Sequence, residues 1–290
     1  IGTLVLVALA GCQSMRPPET ATETVAGAAA GLSEPIAFHV EGAPVDEPGD
    51  ADTLTFAEAV RLSVTTDPGV QAALARVRIA LADAKQARLL PNPILNLALR
   101  FPEGGGKPVI EASLAQDLIS ILKIPRQSSA ADNRLRQASA AAITAVIDAV
   151  AEVQERYVSV QALEQLLPVF EQRRTLVSKA VDLANARLSA GEGIREDVAV
   201  LNTQRVELEV EIAETTQELR DERLRLARLI GRPSGTAAWK LEPWTPPTLT
   251  NTAEAAWIEA GLRSRPEIQE RSWALAALGD DLALTSLLPF

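Results

Sequence analysis

The chain has few of the side chains on which most enzymes and metal sites depend. Its 290 residues include one cysteine, one histidine, one methionine and one tyrosine, and aromatic residues make up 3%. A single cysteine excludes an internal disulfide. Because the only histidine is His39, the sequence offers no Ser-His-Asp or Cys-His arrangement and too few soft ligands for a transition metal. We therefore expect no catalytic residues, no metal site and no cofactor.

Positive charge and long apolar runs are also scarce. The 28 Lys and Arg residues are outnumbered by 38 Asp and Glu, so the net charge is −10. No basic stripe is present to neutralise phosphates, which argues against a nucleic-acid partner. No stretch after the first residues approaches the ~20 apolar residues of a transmembrane helix. Alanine, leucine, valine, arginine, glutamate and glutamine fill long stretches instead, a mixture that favours long helices packed through small side chains.

Residues 1–11 resemble the end of a secretory signal peptide whose front has been cut off. They are apolar, begin with Ile1 rather than Met, and lead into Leu9-Ala10-Gly11-Cys12. This sequence resembles a bacterial lipobox, in which the cysteine is acylated. The alternative is an ordinary buried cysteine. Because Cys12 is the only cysteine and stands where the apolar run ends, we predict that it is lipidated.

The next segment has the composition of a linker. Residues 12–52 are rich in Pro, Ala, Glu, Thr and Gly without a sustained period, which predicts a lipidated tether. Folded structure is expected from Thr53, with Thr55 capping a first helix and Asp67-Pro68 beginning a second that runs to Leu90.

A change to a two-residue period over 93–118 predicts a β-hairpin. Each strand is expected to have about nine residues, close to the length that crosses a bilayer at a tilt. In a membrane, one set of side chains would face lipid: Leu95, Leu97, Leu99 and Phe101. The other set would face water in a lumen: Asn96, Arg100, Glu111, Ser113 and Asp117. The alternative is a half-buried soluble hairpin whose polar face is merely solvated.

Two long helices are predicted over 126–231. Apolar residues in three- and four-residue steps form one seam from Val146 to Leu188 and a second from Ile194 to Leu226, and Gly191-Glu192-Gly193 separates them. A helix beginning at Arg126 would be roughly 95 Å long, so it must pack along its length against others. Pro168 is expected to kink it.

The chain also repeats itself at a fixed offset of 198 residues. Pro68 corresponds to Pro266, Asp83 to Asp281, and Leu89-Leu90-Pro91 to Leu287-Leu288-Pro289. We therefore expect a first structural repeat over 53–254, with an equatorial segment over 232–254, and the start of a second over 255–290. The second hairpin is expected to begin where the chain stops, at Phe290, so this piece alone should not form a conducting pore.

This order of features resembles the TolC family of outer-membrane efflux proteins, in its lipoprotein branch. A lipobox precedes a helix ending in Leu-Leu-Pro-Asn-Pro, a strand pair, a long helical hairpin and a return to Leu-Ile-Gly-Arg-Pro. The resemblance implies a mainly α fold with long coiled-coil hairpins and a transmembrane β-hairpin contributing to a trimeric β-barrel. The segment from Glu111 to Leu118 is similar to the heavy-metal efflux subgroup.

The resemblance further implies a passive exit duct, not an enzyme. It would be a homotrimer in the outer membrane that extends into the periplasm and works with a periplasmic adaptor and an inner-membrane pump of the RND type. The adaptor would dock at the tip, here Arg187, Leu188, Ser189, Ala190, Gly191 and Gly193. Two alternatives stay open: a channel for type I protein secretion, and a lipid-anchored periplasmic structural or adaptor coiled coil.

Overall fold

In a computed structural model, the fold is dominated by one very long helical hairpin. The structure describes residues 18–38, 53–100, 109–232, 237, 239–246 and 254–286, and all that follows concerns these. Within them lie seven helices and four strands. In chain order they are α1 (Pro18–Ala29), β1 (Thr53–Leu54), α2 (Phe56–Thr66), α3 (Pro68–Gln86), β2 (Ile94–Arg100), β3 (Val109–Ala115), α4 (Leu118–Ser189), α5 (Arg195–Leu229), β4 (Lys240–Leu241), α6 (Glu254–Ser264) and α7 (Pro266–Ser286).

The predicted repeat reappears in the helix boundaries. Helices α2 and α6 begin and end 198 residues apart, and α3 and α7 begin at Pro68 and Pro266 with the same offset. Proline suits the first helical position because its ring presets φ and its missing N–H would have had no intrahelical partner. Thr55 caps α2 as predicted, accepting a hydrogen bond from the Glu58 N–H at 3.2 Å. Helix α3 ends at Gln86, slightly before the predicted Leu90.

Helix α4 is longer than the sequence predicts. It has 72 residues, which corresponds to about 108 Å at the usual rise per residue. The prediction that the helix begins at Arg126 is wrong, because α4 begins at Leu118 and runs through both Pro125 and Pro168. A proline inside a helix removes one backbone hydrogen bond. In a helix this long, packing along the remaining turns compensates for that loss.

The chain divides into two compact units, one of which contains residues 27–71 and 146–251. In this unit α4 and α5 form the predicted seam, and eight of the predicted seam positions are buried: Val146, Val153, Tyr157, Val160, Val181, Leu208, Thr215 and Leu226. The seam prediction is confirmed at these positions. Towards the far end of the hairpin the seam side chains become half-exposed, among them Val177, Ala184 and Leu188.

Tyr157 joins α4 to the short parallel pair of β1 and β4 in the same unit. Its hydroxyl donates to the Leu54 carbonyl at 2.9 Å and accepts from the Glu242 N–H at 3.3 Å. Its ring meets Phe56 edge to face, with the ring centroids 5.5 Å apart. Burial raises the pKa of Tyr157 to about 12.

The other unit contains residues 1–26, 72–145 and 252–290. Polar contacts hold α7 to α4 there. The Asp280 carboxylate accepts from Ser129 Oγ at 2.6 Å and from Asn133 Nδ2 at 3.0 Å, and it pairs with Arg126. These contacts, chiefly the hydrogen bond from Ser129, hold the pKa of Asp280 below its usual value.

Helix α1 corrects the prediction of an unstructured tether over 12–52. Residues 18–29 form a helix that begins with a proline, and Thr22 is within hydrogen-bonding distance of Ser139, 3.0 Å between the two hydroxyl oxygens. Ala26 and Ile36 are buried. A methyl group added at Gly27 would lie only 2.2 Å from the Glu34 carbonyl oxygen, so glycine permits this close approach. Packing against the rest of the protein, rather than an apolar pattern of helical period, determines that this segment is helical.

Candidate functional sites: an exposed β-hairpin and a helical tip

The first candidate site is the hairpin of β2 and β3. Each strand has seven residues, and the two pair antiparallel with Leu97 opposite Ala112. Alternation in the sequence therefore becomes a segregation of side chains, because successive residues of a strand point to opposite sides. The predicted hairpin is confirmed.

One side of the hairpin, here called the apolar face, carries large aliphatic side chains that nothing in the described part of the chain covers. The exposed fractions are 68% for Leu95, 64% for Leu97, 53% for Leu99, 65% for Ile110 and 70% for Leu114. An exposed, contiguous apolar surface marks a site of interaction with a membrane or a partner. Phe101, predicted to belong to this set, lies outside the described residues.

The opposite side, here called the polar face, brings together four of the five residues predicted to face a lumen. Asn96 is opposite Ser113, and Arg100 and Glu111 sit diagonally across the strands with a shortest N–O distance of 3.3 Å. Asp117 is different, because it follows the end of β3 and its carboxylate accepts from the Ser120 N–H at 3.1 Å, which caps the start of α4. That this face lines a lumen stays a prediction.

The second candidate site is the tip, where α4 turns into α5. Gly191 has φ +76°, and the Glu192 N–H donates to the Arg187 carbonyl at 2.9 Å, the hydrogen bond that closes a left-handed helix terminus. A Cβ at Gly193 would lie 2.9 Å from the Leu188 nitrogen. Both glycines of the predicted turn therefore have a structural role, one through its positive φ and the other through close backbone approach.

A groove of about 450 Å³ lies beside this turn, between α4 and α5. Its lining is Ala180, Leu183, Ala184, Arg187, Glu192, Gly193, Ile194, Asp197, Val200 and Leu201. Of the predicted tip residues, Arg187 and Gly193 line the groove, whereas Leu188, Ser189, Ala190 and Gly191 do not. The aliphatic lining residues Leu183 and Val200, each more than half exposed, were not predicted as site residues, and Ile194 was predicted only as the start of the second seam. Leu183 and Val200 are apolar residues at helical positions outside the predicted seams, and that pattern was the signal available in the sequence.

The described residues offer neither a metal-binding cluster nor a membrane-spanning helix. No group of three or more His, Cys, Asp or Glu side chains is arranged to hold a metal there. No helix in that part of the chain is long and apolar enough to cross a membrane. Cys12 and His39 both lie outside the described residues.

Solved structures of outer-membrane channel proteins share this fold. The outer-membrane channel OprN superposes with a TM-score of 0.61 at 20% identity, over 80% of this chain and 55% of that one. The outer membrane protein VceC from Vibrio cholerae superposes with a TM-score of 0.61 at 19% identity, over 78% of this chain and 57% of that one. CusC, a protein described as forming a transmembrane channel, superposes with a TM-score of 0.61 at 16% identity, over 78% of this chain and 54% of that one.

The chain has the fold of these outer-membrane channel proteins. The predicted fold class, mainly α with long helical hairpins and a small β part, is thereby confirmed. The chain spans about half the length of the structures that it matches. No protein-family model matches the sequence, and no curated protein matches it either. The resemblance to the heavy-metal efflux subgroup stays a prediction.

Proposed function

We propose that the chain belongs to the outer-membrane channel component of a tripartite efflux system. The channel is a passive exit duct for solutes delivered by an inner-membrane pump of the RND type and a periplasmic adaptor. The single observation that carries this proposal is the apolar face of the hairpin, uncovered along both strands. The hairpin ends only two residues before α4 begins, and the fold of the chain matches that of a known outer-membrane channel.

The hairpin also needs further strands before it can span a membrane. In hydrocarbon, two strands leave backbone donors and acceptors unsatisfied at both outer edges, at a cost of several kcal/mol each. The strands must therefore join others in a closed barrel. We propose a homotrimer as the assembly that supplies them, with the apolar face towards lipid and the polar face towards the lumen.

The membrane role is tested with two neighbouring residues on opposite faces of β2. In the full-length protein, Leu97→Lys places a charge on the lipid side at a cost of about 2–4 kcal/mol, so insertion into the outer membrane and efflux should be lost. Asn96→Lys adds the same charge one residue away and should still insert. Equal insertion of both variants, measured by membrane fractionation, would refute the proposed placement.

We also propose that the tip groove is where the adaptor docks. The groove offers exposed Leu183, Ile194 and Val200. Beside them lie Ala184, which has a short side chain, and Gly193, which has none, so the surface is suited to packing against a helix end. The predicted turn residues Ser189 and Ala190 are exposed next to it. Bulk at Ala184, Ser189 or Ala190 would hold a partner away from the groove.

Docking is tested by substituting tryptophan along α4. Ala184→Trp and Ala190→Trp should abolish adaptor crosslinking and efflux while leaving the trimer and its membrane insertion intact. Asn185→Trp is the matched control, because Asn185 is exposed on the same helix but does not line the groove. Normal crosslinking in all three variants would place docking elsewhere.

Finally, we propose that Cys12 carries the lipid that anchors the protein in the outer membrane. The motif Leu9-Ala10-Gly11-Cys12 supports this proposal. The full-length precursor in a Gram-negative host should incorporate labelled palmitate, whereas Cys12→Ser should not. Equal labelling of the two proteins would rule out acylation at Cys12.

A further inference from the structure

The polar face of the hairpin carries its charges at one end. Going away from α4, the cross-strand pairs are first the apolar Ile94–Ala115 and then the neutral Asn96–Ser113. Glu111 follows opposite Ala98, and Arg100 comes last, opposite Val109. Arg100 and Glu111 are the only charged residues in the two strands.

These two charges balance each other without being removed from solvent. The shortest distance between the Arg100 guanidinium and the Glu111 carboxylate is 3.3 Å, and their side chains are 73% and 51% exposed. An ion pair this exposed contributes little to the stability of the fold. Stability is therefore a weak reason for placing an opposite pair here, and both charges remain accessible to an ion that passes along the face.

The position of the pair is set by the strand. Arg100 lies six residues after Ile94, about 20 Å along the strand at the usual rise, in a band that is about 25 Å tall in transmembrane barrels. The pair therefore sits near the end of the hairpin remote from α4. In a homotrimer it would form a ring of three arginines and three glutamates, and charged rings set ion selectivity in pores.

We propose that Arg100 and Glu111 together form a charge-balanced ring that keeps the channel unselective between cations and anions at the mouth remote from the helices. This inference rests on the proposed channel function. While both charges are present, their fields cancel and the ring favours neither cations nor anions. Loss of either charge leaves the other to concentrate counter-ions in the lumen.

The test is the permeability ratio of K⁺ to Cl⁻, measured for the full-length protein in planar bilayers under a KCl gradient. Arg100→Gln should raise this ratio by at least about twofold at low salt, because Glu111 is left to attract cations. Glu111→Gln should lower it by a similar factor. The double variant Arg100→Gln/Glu111→Gln should return to the wild-type ratio. Ser113→Ala, an uncharged change on the same face, and Arg100→Lys, which keeps the charge, should both leave it unaltered.

The possible outcomes separate this inference from the channel proposal. If the channels conduct but the two single variants shift the ratio in the same direction, or not at all, the ring does not set selectivity and the channel function stands. If the wild-type protein does not conduct, both ideas fall. If Arg100→Gln fails to insert into the membrane, the permeability ratio of Glu111→Gln compared with that of Ser113→Ala still tests the proposal. The shifts should also shrink at high salt, because surface charges are then screened.

Discussion

At the scale of single residues, Tyr157 is the position where one atom holds three segments together. It is the only tyrosine of the chain, and its hydroxyl bridges the Leu54 carbonyl and the Glu242 N–H in a buried site. Tyr157 lies between Val146 and Leu188, within the first seam that the sequence predicts. The two backbone partners come from segments far away in the chain, which no local pattern reports.

Alkaline pH should destabilise the protein through this residue. Since folding raises the pKa of Tyr157 from 10.0 to about 12, the stabilisation is complete below pH 10 and is lost as pH rises through 12. The loss should approach about 2 kcal/mol in unfolding free energy. Tyrosinate absorbance reports this one group directly. Tyr157→Phe lacks the titrating hydroxyl, so its stability should fall less over the same pH range. An absorbance midpoint near pH 10 in the folded protein would contradict the prediction.

Two glycines should respond to alanine in opposite ways. Gly231 ends α5 with φ +76°, and a Cβ there would lie 2.8 Å from Thr66 Oγ1. Gly231→Ala should therefore cost about 1 kcal/mol or more. Gly279 lies inside α7, and a Cβ there meets nothing within 4 Å. Gly279→Ala should stabilise by about 0.4–1 kcal/mol, because alanine favours the helix and restricts the unfolded chain. Urea unfolding of the two variants measures both signs.

At the scale of elements, the residue that begins α5 suits the proposed docking of the adaptor but not the stability of the helix. Its N-cap is Ile194, whose side chain makes no capping hydrogen bond and lies exposed in the tip groove. An N-cap serine would satisfy a free N–H, so Ile194→Ser should stabilise the protein by about 0.5–2 kcal/mol. The same change removes an apolar contact surface, so we expect weaker adaptor crosslinking.

Ile194→Ala serves as the control, because it removes the aliphatic surface without adding a cap. It should weaken crosslinking to a similar degree and give no gain in thermal stability. If Ile194→Ser strengthens crosslinking, the aliphatic groove is not the docking surface.

At the scale of the whole molecule, the two repeats share boundaries but not burial. Helix α2 buries five residues, whereas its counterpart α6 buries none among those described. Val60 is 2% exposed, and Ile258, 198 positions later, is 55% exposed. Val60→Ala should therefore destabilise this chain by about 1–3 kcal/mol through the cavity that it leaves.

Ile258→Ala, the matched change in the second repeat, should cost less than about 0.5 kcal/mol in the same chain, as exposed positions do. Thermal unfolding of the two variants side by side provides the comparison. Equal losses would mean that α6 is packed as tightly as α2, contrary to the exposure of its side chains.

The sequence by itself determined the elements that depend on local period and on turn residues. Alternation predicted β2 and β3, the heptad seams predicted α4 and α5, Gly191 and Gly193 predicted the turn, and the offset of 198 predicted α6 and α7. These features depend on neighbours a few residues apart, so they can be read along the chain.

Only the tertiary structure decided what depends on distant partners. Helix α1 forms where composition predicted a tether, because Thr22 and Ala26 are buried by packing. Pro125 continues a helix that it was predicted to precede. The tip groove gathers Leu183, Ile194 and Val200 from two helices that run in opposite directions. Burial is a property of the space around a residue, and the chain that fills that space comes from elsewhere in the sequence.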